Sequence, residues 1–294
     1  MSRRVLVVGD VMTDIIVLPE GGMVKGSDRR AQVRSRPGGS GANQAVWLGA
    51  MEADVLFAAR VGAADRMGYE NYFRGFGVVA VLAGDKDLPS GVLVTIVDPD
   101  GERSFFTDRG ANLNLNGQDL PENLLDDVGL VLVSGYSFFA DGPRAAVMDL
   151  FAAAKARGIA LAVDPASVGF LTEIGTSNFV GWTAGADWLF ANHSEAEALC
   201  GAVDLEQQMR LLGEHYRTVV IKRGAQGAAV GGRDGVRMIQ AAPRVNVVDS
   251  TGAGDAFAAG LLAAHLDGQP LAMALEAGIA AGAKAVQSIG GQPG

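Results

Sequence analysis

The chain has 294 residues, 49% of them hydrophobic, and a formal net charge of −9 at pH 7. This length provides one large or two modest domains with a substantial core. The acidic charge argues against nucleic acid and anionic membranes as partners, because both attract basic proteins.

Apolar runs of strand length alternate along the chain with Ala-rich segments of helical period. The runs predict buried strands at residues 5–8, 55–58, 130–134, 161–163, 188–191 and 219–221. The Ala-rich segments predict helices at residues 41–50, 144–157, 194–200, 207–215, 253–265 and 271–287. Because strands and helices follow one another repeatedly, we expect an α/β fold with a mostly parallel central sheet and helices on both faces.

Two pairs of segments break this rhythm by alternating apolar with polar residues. They lie at 14–18 with 32–36 and at 91–97 with 102–107, and the turn at 98–101 joins the second pair. Such strands form a small sheet that projects over the main domain as a lid, or they are ordinary edge hairpins; the pattern does not separate the two. We expect one domain over 1–294, with lid strands inserted at about 12–36 and 89–110.

The single cysteine, Cys200, cannot form an internal disulfide, and its apolar neighbours predict a buried thiol in a reducing compartment. The apolar run near the N-terminus ends at Gly9, too early for a secretion signal. Every apolar run is shorter than the ~20 residues that cross a bilayer. We therefore expect a soluble, cytoplasmic protein.

A glycine loop with an acid follows a predicted strand at residues 245–248. The amides of Gly252, Ala253 and Gly254 fall at a predicted helix start, where unpaired N–H groups and the helix dipole favour an anion. Asp255 lies in the first turn, where it either stabilises the helix end or acts as a general base. Neither a P-loop, nor a G-x-G-x-x-G after a strand, nor a zinc motif occurs in the sequence.

Two signatures together identify a family resemblance. RPGGSGANQA at 36–45, followed by ARVG at 59–62, and DSTGAGDAF at 249–257 resemble the N-terminal and C-terminal signatures of the ribokinase-like (PfkB) carbohydrate kinases. The resemblance covers essentially the whole chain. It implies a doubly wound α/β fold with a β lid, and transfer of the ATP γ-phosphate to a hydroxyl of a small ribose-, fructose- or keto-deoxy-gluconate-like sugar.

The resemblance also implies roles for the glycine loop and the nucleotide side. Asp255 matches the general base, and Gly252, Ala253 and Gly254 match the anion hole. Asn192 and Glu195 match an N-x-x-E element that organises Mg²⁺ and the phosphates, partly through water; the same residues are also typical of a capped helix start. Four further positions match residues that bind the nucleotide: Lys222, Gly224, Gly227 and Thr251. Lys222 either touches a phosphate or is solvated.

Many relatives bind an activating K⁺, largely through carbonyl groups. The matching positions here are Asp249, Thr251, Val286 and Gly291. The resemblance implies that this chain could keep that site.

For the substrate, the resemblance implies hydroxyl contacts from Asp14, Gly38, Gly39 and Asn43, because one carboxylate accepts from two hydroxyls. Ribokinases usually carry Asn where this chain has Met12, which weakens a claim for ribose and leaves Asp10 as another polar contact.

Arg109 lies near the position of a carboxylate-binding arginine in keto-acid sugar kinases, but Thr107 replaces their tyrosine. A surface ion pair between Arg109 and Asp108 is the simpler interpretation.

Together these features predict an ATP- and Mg²⁺-dependent sugar kinase that forms a homodimer through its lid strands. A nucleoside kinase of the same family is the nearest alternative. A non-catalytic sugar or nucleotide sensor on the same fold is an alternative of another class. The intact loop at 252–254 and Asp255 favour an enzyme.

Overall fold

A computed structural model describes residues 4–22, 25–97 and 103–293. The predicted turn at 98–101 lies outside these residues. The strands are β1 (Arg4–Val8), β2 (Met12–Pro19), β3 (Ala31–Gly38), β4 (Val55–Gly62), β5 (Val79–Asp85), β6 (Gly91–Val97), β7 (Arg103–Asp108), β8 (Val128–Ser134), β9 (Ala160–Asp164), β10 (Trp188–Asn192), β11 (Thr218–Lys222), β12 (Ala228–Gly232) and β13 (Gly235–Gln240). The α-helices are α1 (Ser40–Ala50), α2 (Arg66–Arg74), α3 (Asp141–Ala156), α4 (Val168–Ile174), α5 (Thr176–Thr183), α6 (His193–Cys200), α7 (Leu205–Leu212), α8 (Ala253–Leu266) and α9 (Leu271–Ala285). Short 3₁₀ helices lie at Gly110–Asn114, Glu122–Leu125, Gly135–Phe138 and Gly224–Gln226.

The large sheet has the strand order β13-β12-β11-β10-β9-β8-β1-β4-β5. Neighbours from β11 to β5 are parallel, and β12 and β13 add an antiparallel edge. Successive residues of β1 point to opposite faces: Val5 and Val7 belong to one apolar core, and Leu6 and Val8 to the other. Helices α1, α2, α8 and α9 contribute to the first core, and α3 to α7 to the second. The expected doubly wound α/β fold is confirmed.

The small sheet has the order β3-β2-β6-β7. Strands β2 and β6 are parallel, and each has an antiparallel hairpin partner. Its strands come from the two insertions that the alternating pattern indicates. One face carries Asp14, Leu93 and Phe105 toward the mouth of the large sheet, while Val94 and Phe106, which pair in register, belong to the other face.

The predicted strand at 245–248 is wrong. Among the described residues the large sheet ends at β13, and residues 245–248 pair with none of its strands. It runs as irregular chain in which Val247 and Val248 are largely exposed, and Val248 N–H donates to the carbonyl of Val286 at 2.8 Å. β-Branched composition indicates strand propensity but not whether a partner strand lies alongside.

Cys200 is half-buried rather than buried, and its thiol donates to the Ala196 carbonyl at 3.0 Å. Partial burial raises the pKa of this thiol. In the described ranges, none of the helices combines the length and the hydropathy needed to span a membrane.

Candidate active site

A cleft of about 1130 Å³ opens over the carboxyl ends of the central strands and beneath the small sheet. Such a crevice is where open α/β sheets bind their ligands. The cleft brings together predicted residues from both sides: Asp10, Asp14, Gly39, Asn43, Arg109, Asn192, Glu195, Lys222, Gly224, Gly227, Thr251, Gly252, Ala253, Gly254, Asp255 and Val286. Three predicted residues do not line it: Gly38, Asp249 and Gly291.

The loop before α8 turns through Gly252, whose backbone is left-handed at φ +71°. A side chain there would also collide with Gly291, since a Cβ atom would lie 2.3 Å from its Cα. The first turn of α8 then carries Asp255. Three backbone amides are predicted to form the anion hole. One of them, the Ala253 N–H, already donates a hydrogen bond within the loop, to the Ser250 carbonyl at 3.3 Å.

The Asp255 carboxylate is held by side chains of α1. Ser40 Oγ donates to Oδ1 at 2.7 Å, Asn43 Nδ2 donates to Oδ2 at 2.9 Å, and Gln44 Nε2 lies 3.3 Å from Oδ1. Burial, with the negative charge of Asp164, raises the pKa of Asp255 to about 7, against the hydrogen bonds from Asn43 and Ser40. Asn43 therefore holds Asp255, while its Oδ1 atom is buried without a hydrogen-bond donor among the described residues; its predicted contact with the substrate stays a prediction.

Three neighbouring strands end in polar side chains at the cleft floor: Asp164 on β9, Asn192 on β10 and Lys222 on β11. Lys222 Nζ donates to Asp164 Oδ2 at 2.7 Å, and both side chains are largely buried. The interpretation of Lys222 as a solvated lysine is therefore wrong. Burial opposes its charge, but the carboxylates of Asp164 and Glu195 outweigh that effect and raise the pKa of Lys222. The Lys222 ammonium lies beside Gly254, because a Cβ atom at Gly254 would come 3.0 Å from Lys222 Nζ.

Asn192 and Glu195 form a capping box at the start of α6. Asn192 Oδ1 accepts from the Glu195 N–H at 2.9 Å, while the Asn192 N–H and Nδ2 donate to the two carboxylate oxygens at 2.8 and 2.6 Å. The capped-start interpretation is confirmed. Burial raises the pKa of Glu195, Lys222 lowers it and Asp164 raises it further. Two carboxyl groups, Asp164 and Glu195, thus lie near one lysine at this corner.

The opposite end of the cleft is built around Asp14 of β2. Burial raises the pKa of Asp14 to about 7, and the nearby charges of Asp10 and Asp249 add to the shift. Its Oδ1 atom is buried without a hydrogen-bond donor among the described residues. Gly38 lies behind the carboxylate, because a Cβ at this position would come 2.1 Å from Oδ2. Gly39 lies close to the Asp10 backbone, because a Cβ atom at this position would come 2.6 Å from the Asp10 carbonyl oxygen. Its backbone is also left-handed, at φ +97°.

Asp10 follows β1 and joins several elements. It accepts from the Gly41 N–H at 3.2 Å, Ser134 Oγ at 3.3 Å and Arg109 at 3.4 Å. The Arg109 guanidinium stacks on the Tyr136 ring, 3.8 Å from its centroid, and lies 4.9 Å from that of Phe170. The predicted surface pair of Arg109 with Asp108 is wrong, because burial against these rings turns the arginine into the cleft.

The loop that matches a K⁺ site in relatives accepts hydrogen bonds from within the protein on several of its oxygen atoms. The Val286 carbonyl accepts from the N–H groups of Val248 and Asp249, at 2.8 and 3.2 Å. Trp47 Nε1 donates to the Gly291 carbonyl at 2.9 Å. The Asp249 carboxylate accepts from the N–H and hydroxyl of Thr251 and from a backbone N–H at Gly290. These hydrogen bonds stabilise the loop, and the K⁺ site at these positions stays a prediction.

Several residues of the cleft were not predicted from the sequence. Asp164 ends a strand that the sequence does predict, and the rule that ligands bind at the carboxyl ends of parallel strands would have indicated it. Ser40 lies inside the N-terminal signature RPGGSGANQA at 36–45. Tyr136, Phe170 and Phe105 reach the cleft from three separate elements, and no local pattern connects them. A group of three or more His, Cys, Asp or Glu side chains arranged as a metal site is absent from the described part of the chain.

A carboxylate at a helix start, beside glycine amides in a cleft over a doubly wound sheet, defines a class of protein: a phosphotransferase acting on a small hydroxyl compound. The profile of the pfkB family carbohydrate kinases matches residues 2–294, and the chain belongs to that family. It is therefore an enzyme, an ATP-dependent kinase of the group that phosphorylates sugars and nucleosides.

Individual relatives agree with this assignment. An ATP-dependent ribose-1-phosphate kinase from Halopiger xanaduensis is 30% identical over 95% of this chain and 90% of that protein. A ribokinase from Staphylococcus aureus is 25% identical over 99% of this chain and 96% of that protein. The crystal structure of an adenosine kinase from Sinorhizobium meliloti has a TM-score of 0.89 at 23% identity, over 100% of this chain and 96% of that one. This last likeness shows the fold.

Proposed function

We propose that this enzyme phosphorylates a hydroxyl of a small sugar of the ribose, fructose or keto-deoxy-gluconate type. One observation carries the proposal: the cleft holds a carboxylate at the start of α8 and, at its other end, the buried Asp14 Oδ1 with no donor among the described residues. A polyol supplies the missing donors, because each of its hydroxyls donates one hydrogen bond. Burying an acceptor without a partner costs about 1 to 3 kcal/mol, which a bound hydroxyl relieves.

In the proposed reaction, the substrate hydroxyl loses its proton to Asp255 as its oxygen bonds to the γ-phosphorus of ATP. The bond from that phosphorus to the bridging oxygen breaks, and ADP leaves. The amides of Gly252 and Gly254 and the ammonium of Lys222 stabilise charge on the phosphoryl oxygens. The small sheet acts as a lid that excludes water and so limits hydrolysis of ATP.

Asn192 and Glu195, with Asp164 close by, fit Mg²⁺, because buried carboxylate and amide oxygens in excess of local positive charge are what this ion prefers. When bound, Mg²⁺ would neutralise phosphate charge. Gly224, Gly227 and Thr251 line the same side of the cleft and are proposed to contact the nucleotide. Cys200, a free thiol, supports a reducing compartment such as the cytoplasm.

A nucleoside is the second candidate substrate, favoured by the aromatic wall of the cleft. Phe105 from β7, Tyr136 after β8 and Phe170 from α4 all line it, and Phe170 forms an edge-to-face pair with Tyr136 at 5.4 Å. Aromatic faces bind a planar base by stacking, at about 1 to 3 kcal/mol for each base. Because Arg109 already lies on Tyr136, a base would stack on the exposed ring of Phe105.

A coupled assay of ATP consumption with ribose, ribose 1-phosphate, fructose, keto-deoxy-gluconate and nucleosides tests the proposal. We expect turnover with one of these classes and a loss of about 10² to 10⁴-fold in kcat for Asp255→Asn, the usual contribution of a general base. Asp234→Asn, an exposed acid between β12 and β13, is the matched control and should leave kcat unchanged. Turnover of Asp255→Asn within a few-fold of wild type would remove Asp255 as the base.

Arg109 decides whether the substrate is acidic. The one hydrogen-bond partner of its guanidinium among the described residues is Asp10, at 3.4 Å, which leaves donors facing the cleft. We expect Arg109→Met to reduce kcat/KM far more for an acidic sugar than for a neutral one. Arg144→Met removes another ring-stacked arginine, over Trp182 and outside the cleft, and should affect both alike. Equal losses for the two substrates in Arg109→Met would eliminate the acidic substrate.

We also propose a homodimer through the outer face of the small sheet. Val33 and Phe106 on this face are 62% and 60% exposed, and Val94 pairs directly with Phe106. A second copy would cover this apolar face. Light scattering should give twice the chain mass for wild type and for Met67→Lys, an exposed control on α2, and one chain mass for Phe106→Lys. A wild-type monomer at micromolar concentration would refute the dimer.

A further inference from the structure

Three side chains of α1 converge on one carboxylate. Ser40, Asn43 and Gln44 lie at helix positions i, i+3 and i+4, which share one face. That face meets the first turn of α8, where Asp255 accepts a hydrogen bond from each of them. Gln44 Nε2 also lies 3.4 Å from Ser40 Oγ, so the two side chains support each other.

The two carboxylate oxygens are not equivalent. Oδ1 faces Ser40 Oγ at 2.7 Å and Gln44 Nε2 at 3.3 Å, whereas Oδ2 faces only Asn43 Nδ2 at 2.9 Å within the described residues. A carboxylate offers about four lone-pair positions, two on each oxygen. Both positions of Oδ1 are therefore filled, and the remaining one belongs to Oδ2.

Gln44 is an unusual residue to find in this place. It is fully buried, and its Oε1 atom has no hydrogen-bond donor among the described residues. A buried amide with half of its hydrogen bonds missing destabilises the fold, and an apolar side chain would avoid that cost. Its Nε2 contact with Asp255 is what the glutamine provides and an apolar residue would not.

We propose that Ser40 and Gln44 are positioning residues that hold Oδ1 of Asp255 and so direct the substrate proton to Oδ2. This inference rests on the proposed function, in which Asp255 is the base. The substrate O–H bond breaks, its proton binds Oδ2, and the freed oxygen bonds to the γ-phosphorus as ADP departs. Donors fixed on Oδ1 also keep the carboxylate ionised within a buried site, since hydrogen bonds to the charged form favour it.

The pH profile of kcat/KM tests this. Ser40→Ala and Gln44→Met each remove one donor to the ionised carboxylate, so the acidic limb should move to higher pH. We expect kcat/KM to fall about tenfold at pH 6 and to recover to within about threefold of wild type at pH 9, as loss of one charge-assisted hydrogen bond predicts. Ser40→Thr keeps the hydroxyl and should restore the wild-type profile.

Gln208→Met is the matched control. Gln208 is as buried as Gln44, but its Nε2 donates to the Ala202 carbonyl at 2.8 Å rather than to a carboxylate. We expect this variant to lose stability with no shift of the pH profile. Ser40→Ala and Gln44→Met losses that are equal at every pH would overturn the inference.

Asp255→Asn separates the two levels of the proposal. If it retains turnover, the proposed function itself fails at its base. If it is inactive while Ser40→Ala and Gln44→Met keep the wild-type profile, Asp255 remains the base and only the positioning role is refuted.

Discussion

Gly38→Ala should damage substrate binding through a single methyl group. The added Cβ would lie 2.1 Å from Asp14 Oδ2 and 2.4 Å from its Cγ, whereas ordinary contacts begin at 3.4 Å. The carboxylate therefore has to move by more than 1 Å. Displacing a positioning group by ~1 Å costs about 100-fold in rate, or about 2.7 kcal/mol of transition-state stabilisation.

Steady-state kinetics with the true substrate measure this effect. We expect kcat/KM for the sugar to fall about 100-fold while KM for ATP changes little, because Asp14 lies at the opposite end of the cleft from Lys222. Gly38 lies in β3 without a left-handed backbone, so alanine adds no backbone strain, and overpacking against the buried carboxylate should lower the free energy of unfolding by about 1 to 3 kcal/mol.

Gly68→Ala is the matched control for Gly38→Ala. Gly68 lies inside α2 with no atom within 4 Å of a Cβ position. Alanine there should raise the free energy of unfolding by about 0.5 to 1 kcal/mol and leave kinetics unchanged. A Gly38→Ala enzyme with kcat/KM for the sugar within threefold of wild type would refute the role of Asp14 in holding substrate.

Three further predictions concern charge. Because the pKa of Asp255 is raised to about 7, kcat/KM should increase about tenfold from pH 6 to pH 8; a flat profile would contradict a base with this pKa. Asp14 and Asp255 hold protons in the folded state that they lose when unfolded. In urea titrations the free energy of unfolding should therefore fall as the pH rises from about 4 to about 7, because these two groups stabilise the fold only while they hold their protons. Lys222→Met leaves Asp164 without its cation and should destabilise the fold by about 3 kcal/mol, which adding Asp164→Asn should restore without restoring turnover.

The sequence predicts the fold well because burial imposes a period. Strands buried on both faces read as continuous apolar runs, and β1 and β8 through β11 were all predicted at or near their observed bounds. Strands β5, β12 and β13 escaped because Gly and Ala dilute their apolar pattern or because they lie at an edge. The 245–248 error has the opposite cause, an apolar run without a partner strand.

Within the site, the sequence predicts which residues meet but not what each side chain does. Asp255 and the glycine loop follow from a local helix start. The contact from Asn43 to Asp255 joins residues 212 positions apart, and it depends on how α1 packs against α8. Arg109 turns inward because it stacks on Tyr136, a ring that only the fold brings beside it. Local sequence patterns predict neither of these two contacts.

An acidic chain that binds ATP has to concentrate its positive charge, and the cleft shows how this is done. Lys222 is the one lysine lining it, and Asp164 already neutralises its ammonium at 2.7 Å. Arg109 and Arg244 also line the cleft, and amides at the start of α8 add partial positive charge without a counterion. The same helix start favours the ionised form of Asp255, while burial opposes it. As the proposed base, Asp255 thereby has a pKa of about 7, at which it can both accept a proton from the substrate and release it afterwards.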